Sequence, residues 1–152
     1  PQDQNILRWD KAQRFKIGFS ALHITNNQAR LSIGRGQDTA GTIATHYGFR
    51  LDSDALFGTC AYSTNQSTVR LATIAASTGY DLEADFSPGD KIVFSVSDTN
   101  GLLINRAVLA ENLPSLDIDP THTGYVFLFS QTNDSNALKT IRSSYYQFMQ
   151  EK

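Results

Sequence analysis

Hydrophobic and polar residues alternate with a period of two along most of this chain. In residues 80–86 (YDLEADF) every second residue is apolar and each residue between is acidic. Because successive side chains of a β-strand point to opposite faces, this pattern predicts a strand with one buried face. Similar patterns, some of them more continuously apolar, predict further strands at 15–22, 29–33, 45–51, 55–63, 68–74, 91–96, 102–104, 124–130 and 138–149.

Turn-forming residues separate these runs. Residues 87–90 (SPGD) combine a proline with a glycine, and residues 98–101 (DTNG) end in the Asn-Gly pair that suits a tight hairpin. About ten short strands joined by such turns are typical of an antiparallel β-sandwich. Helix is expected only as a turn near 5–12 or 107–112.

The 152 residues fit one domain, with no linker or internal repeat to divide them. Residues 1–12 (PQDQNILRWDKA) are mostly polar and predict a short N-terminal arm, followed by a sandwich over 13–152. The apolar residues of the arm, Ile6, Leu7 and Trp9, are the candidate partner-binding residues.

Charge and hydropathy narrow the classes of partner. The formal net charge is −2, and lysines and arginines are scattered without a basic run, which argues against nucleic acid. No apolar run approaches the ~20 residues of a membrane-spanning helix. The single cysteine, Cys60, lies in the apolar stretch 55–62, which predicts a buried and unreactive thiol.

Two acidic residues on one predicted strand raise the question of catalysis. Glycosidases of the sandwich class carry an E-x-D-x-x-E pattern on one strand, whose carboxylates act as nucleophile and general acid. Glu83 and Asp85 match the first two positions, but Pro88 occupies the third. We therefore expect a solvated outer strand face, no catalytic residues and no enzyme.

The sequence also offers candidate residues for a metal site and a sugar site. Loop pairs of oxygen ligands suggest calcium, yet Asp and Asn are also ordinary turn formers, and no cofactor or metal ligand is assigned. The three histidines have no metal-ligand spacing. Tyr145 and Tyr146 point to opposite faces of a strand, so one of them is expected to be exposed for a sugar or a subunit contact. The loop pairs are Asp52/Asp54, Asp98/Asn100, Asp117/Asp119 and Asn133/Asp134.

The second half of the chain resembles a known fold in its order of strands and turns. The strand at 48–52 (GFRLD), the 80–89 segment (YDLEADFSPG), the 98–101 hairpin and the terminal strand at 141–146 (IRSSYY) follow one another as in concanavalin A-like, or laminin-G-like, jelly rolls of tailed-phage structural proteins. The resemblance covers about residues 45–150. It implies an all-β, concanavalin A-like jelly roll.

The same resemblance implies a function. It suggests a bacteriophage virion protein, made in the host cytoplasm, most similar to capsid decoration (cement) proteins and acting through protein–protein contacts. The implied partners are the major capsid protein or other virion proteins, with the chain itself forming a homotrimer. The alternative is a carbohydrate-binding, lectin-like module or a tail-fibre receptor-binding domain, with a glycan as ligand.

Overall fold

The computed structural model describes residues 7–34, 45–115, 128–133 and 139–151. These residues form ten β-strands, which confirms the all-β prediction. The first five strands are β1 (Gln13–Ala21), β2 (Asn27–Gly34), β3 (His46–Asp52), β4 (Ala55–Tyr62) and β5 (Asn65–Thr73). The others are β6 (Gly79–Ser87), β7 (Lys91–Asp98), β8 (Leu103–Leu109), β9 (Leu128–Asn133) and β10 (Ile141–Gln150).

The strands form two five-stranded sheets, and neighbouring strands in each sheet are antiparallel. The first sheet has the order β10-β1-β6-β7-β8, and the second has the order β5-β4-β3-β2-β9. Each sheet presents alternate residues to the space between the sheets, as β6 shows with its strict alternation of half-buried and buried positions. The architecture is an antiparallel jelly-roll β-sandwich, as the sequence predicts.

Aromatic side chains fill the space between the sheets. Phe49 of the second sheet meets Phe94 of the first edge to face, with ring centroids 5.6 Å apart. Gly58 of β4 allows this approach, because a Cβ there would lie 2.6 Å from the Phe94 ring. The two sheets are therefore locked together by close aromatic contact at their centre.

The described part of the N-terminal segment, from Leu7 onward, contributes side chains to the same core. Leu7 and Trp9 are only 2% and 1% exposed, and the Trp9 ring meets Tyr47 and Phe86 at centroid distances of 6.2 and 5.9 Å. Both side chains are therefore part of the core of the described structure, and their role as partner-binding residues stays a prediction. Ile6 lies outside the described residues. Whether residues 1–12 meet a partner stays a prediction.

Other details differ from the sequence-based expectation. The described residues form no helix, and residues 107–109, where a helical turn was one alternative, belong to β8. The described part of the chain thus contains no helix long and apolar enough to cross a membrane. The predicted strand at 124–130 is described only from Leu128 onward. Asp117, Asp119 and Asp134 lie outside the described residues.

Candidate functional site on the outer face of the first sheet

The outer face of the first sheet carries Glu83, Asp85 and Tyr145, three of the polar residues that the sequence singled out. Residues directly opposite each other in antiparallel strands share a face. The register places Gln147, Lys16, Glu83, Ser95 and Arg106 in one row across β10, β1, β6, β7 and β8. One neighbouring row consists of Met149, Arg14, Asp85, Val93 and Val108. A further row consists of Tyr145, Gly18, Asp81, Ser97 and Leu103.

Opposite charges neutralise each other at the centre of this face. The Arg14 Nε lies 2.5 Å from an Asp85 carboxylate oxygen and 3.5 Å from Glu83. The Lys16 Nζ lies 2.8 Å from the other oxygen of Glu83. Hydrogen bonding to Asp85 and the two negative charges raise the pKa of Arg14. The carboxylates of the predicted strand are thus engaged in ion pairs, in keeping with a solvated outer face.

Tyr145 provides an aromatic surface beside these charges. Its hydroxyl donates to Asp81 Oδ1 at 2.8 Å, so the side chain of β10 reaches across β1 to β6. Gly18 of β1 makes room for it, because a Cβ there would lie 2.7 Å from Tyr145 Cε1. Partial burial and the bond to Asp81 raise the pKa of Tyr145 to about 12. The residue remains 45% exposed, so ligands can reach its ring.

A β-bulge sets the direction of Tyr145. In β10, Ser143 pairs with Phe19 and Tyr145 pairs with Gly18, so one extra residue, Ser144, interrupts the register. Simple alternation had placed Ser143 and Tyr145 on the same face, and the bulge puts them on opposite faces. Tyr146 faces the other way from Tyr145 and is 59% exposed, so both tyrosines are exposed rather than one.

The other candidate chemistries find little support among the described residues. Across the ranges that the structure describes, no three His, Cys, Asp or Glu side chains gather closely enough to hold a metal ion. Cys60 is buried, which confirms the expectation of a buried thiol, and burial raises its pKa to about 12. Exposed apolar side chains cluster instead on β8 and the turn before it, at Leu102, Leu103, Ile104 and Val108.

Comparison with known proteins supports the fold and leaves the family open. No protein-family model and no curated protein matches the chain. Among solved structures, a protein of unknown function from Shewanella oneidensis MR-1 superposes with a TM-score of 0.65 at 12% identity. The match covers 94% of this chain and 59% of that one. This chain and the Shewanella protein therefore share a fold.

Two further structures show how widely this sandwich is used. Alginate lyase A1-II′ matches with a TM-score of 0.59 at 12% identity, over 99% of this chain and 66% of the lyase. Sheep galectin-11 matches with a TM-score of 0.54 at 14% identity, over 95% of this chain and 93% of the galectin. An enzyme and a galectin therefore share one jelly roll with this chain, and at these identities the likeness establishes the fold alone.

Proposed function

We propose that this protein is a lectin-like glycan-binding module that uses the outer face of its first sheet and performs no catalysis. The observation that carries the proposal is the Tyr145 ring, held across Gly18 by its hydrogen bond to Asp81 and bordered by polar side chains. Glycan recognition needs an exposed aromatic ring to pack against a sugar and polar groups to hydrogen-bond its hydroxyls. This face supplies both on rigid strands.

The neighbouring charges suit binding better than hydrolysis. Glu83 and Asp85 are engaged in ion pairs with Arg14 and Lys16, and Pro88 stands where the glycosidase pattern has its third carboxylate. Their acceptor oxygens and the cationic donors remain half-exposed and can hydrogen-bond sugar hydroxyls. Structures that share this fold include both a galectin and an enzyme, a polysaccharide lyase, so the fold is compatible with binding and with catalysis.

The virion role implied by the sequence resemblance stays a prediction. The similar structures reported above are a protein of unknown function, an alginate lyase and a galectin, and none of these descriptions supports a virion role. A tail-fibre receptor-binding domain would itself bind a surface glycan. The glycan-binding proposal therefore holds whether or not the chain is part of a virion.

The proposal is tested by glycan-array screening followed by calorimetric titration of the strongest ligand. Replacing Tyr145 by alanine should weaken binding about two- to tenfold, since an aromatic contact is worth roughly 0.5–1.5 kcal/mol. Gly18→Ala should weaken it similarly, because the new methyl group displaces the Tyr145 ring.

Tyr146→Ala provides the matched control. It removes a tyrosine that is more exposed, at 59% against 45%, from the opposite face of the same strand, so glycan affinity should be unchanged. Equal losses for both tyrosine variants, or an array on which no glycan binds, would contradict the proposal.

A further inference from the structure

The outer face of the second sheet carries a row of arginines that differs from the first sheet's balanced charges. Arg30 pairs with Arg50, Arg50 pairs with Phe57, and Phe57 pairs with Arg70 across β2, β3, β4 and β5. Directly opposed residues share a face, so these four side chains form one cross-strand row. We refer to it as the arginine row.

Acidic residues are scarce in the described strands that carry this row. In the described strands β2 to β5, Asp52 is the one acidic residue, and its carboxylate lies 3.8 Å from the Arg50 guanidinium. That separation exceeds a hydrogen bond. Asp52 therefore gives the Arg50 guanidinium a carboxylate at ion-pair distance but no hydrogen bond.

Arg50 is held rigidly but is poorly satisfied. Its guanidinium carbon lies 4.9 Å from the centre of the Phe57 ring, a cation–π contact that fixes the plane of the group. Its Nε is buried and has no hydrogen-bond partner among the described residues. The Arg50 side chain is 24% exposed and its Asp52 neighbour lies beyond hydrogen-bond distance, so an anionic oxygen can approach this fixed guanidinium.

The two flanking arginines add positive charge on either side of Arg50 along the row. Partial burial lowers the pKa of Arg30, and the neighbouring charge of Arg50 lowers it further. Arg70 is exposed, and one of its terminal nitrogens donates to Thr73 Oγ1 at 2.9 Å. Like charges on adjacent strands repel, so an anion between them would relieve the repulsion.

We infer that the arginine row is a second binding site, specific for the acidic groups of an anionic polysaccharide. Neighbouring strands lie about 4.8 Å apart, so Arg70 is about 10 Å from Arg50 along the row. The row can thus contact more than one acidic group of an extended chain. Carboxylate and sulfate both match the guanidinium fork, and the ligand is a uronate-bearing or a sulfated sugar chain.

Nucleic acid fits the same row less well. Single-stranded nucleic acid is bound by stacking its bases on aromatic rings within a positive groove. Phe57, the aromatic member of the row, is covered on one face by Arg50. The net charge of −2 also disfavours a long polyanion at sites away from the row.

The test is affinity electrophoresis of the full chain in gels containing polygalacturonate, dextran sulfate, neutral dextran or a single-stranded oligonucleotide. The protein should be retarded by at least one acidic polysaccharide and not by neutral dextran at the same concentration. Retardation by polygalacturonate alone identifies a uronate ligand, and retardation by dextran sulfate alone identifies a sulfated one. Equal or stronger retardation by the oligonucleotide would overturn the assignment to a polysaccharide.

Variants assign the retardation to the row. Arg50→Gln and Arg70→Gln should each raise the dissociation constant several-fold, and Arg50→Lys should recover part of the loss because it keeps the charge but not the fork. Arg142→Gln, at an exposed arginine on β10, is the control and should have no effect. Thermal unfolding checks that each variant is folded. Undiminished retardation of a folded Arg50→Gln, Arg70→Gln double variant would overturn the inference.

The site is separable from the one proposed on the first sheet. Tyr145 lies on the outer face of the other sheet, so Tyr145→Ala should leave retardation by acidic polysaccharide unchanged. Loss of glycan-array binding with intact retardation, or the reverse, therefore shows which of the two surfaces has failed.

Discussion

The two outer faces of this sandwich use similar residue types to different effect. On the first sheet, Arg14 and Lys16 lie directly opposite acidic residues of β6, and each cation has a carboxylate within 2.8 Å. On the second sheet, Arg30 and Arg50 stand side by side, with a carboxylate 3.8 Å from Arg50. The difference indicates that the cross-strand register, more than the number of charges, decides whether the charged side chains of a face neutralise one another or can bind a charged ligand.

The largest expected effect concerns the support that both faces share. Trp9 contacts Tyr47 of the second sheet and Phe86 of the first, so Trp9→Ala should lower the free energy of unfolding by about 3–5 kcal/mol. Ligand binding at both faces should then fail at the same denaturant concentration. Chemical denaturation measures the change, with the exposed Arg8→Ala as control. A loss of less than about 1 kcal/mol would contradict the core role of Trp9.

A smaller effect distinguishes the faces by pH. The pKa of Tyr145 is raised from 10.0 to about 12 in the folded protein, so its hydrogen bond stabilises the fold below pH 10 and is lost as the pH rises toward 12. Comparison with Tyr145→Phe should show a difference of about 1 kcal/mol at pH 8 that disappears near pH 12. Thr68→Ala, which changes an exposed and non-ionisable side chain of the second sheet, is the control and should show no such dependence. A difference that is the same at both pH values would count against the Asp81 bond.

The smallest effect concerns the charges themselves. Glu83→Gln weakens two ion pairs and should cost roughly 0.5–1 kcal/mol in low salt and less in high salt. Arg50→Met keeps packing on Phe57 while removing a like charge from beside Arg30, so its net effect should be near zero or stabilising. Urea denaturation at two salt concentrations measures both. Equal destabilisation by the two variants would show that the faces are electrostatically alike.

Local patterns predict this fold well and its surfaces poorly. The alternation in residues 80–86 identifies β6, its buried face and its solvated acidic face, because a strand's period of two is a local property. The direction of Tyr145 depends on a bulge between β1 and β10, and the contact of Trp9 depends on both sheets. The arginine row was also missed, since Arg30, Arg50 and Arg70 become neighbours only through the register of four strands.

The most direct test of two separate binding surfaces is a paired titration of Tyr145→Ala and Arg50→Gln. Each variant is measured against the strongest neutral glycan from the array and against the acidic polysaccharide that retards the native chain. We predict that Tyr145→Ala weakens the neutral ligand alone and that Arg50→Gln weakens the acidic ligand alone. If either variant weakens both ligands equally while remaining folded, the two faces do not act as separate sites.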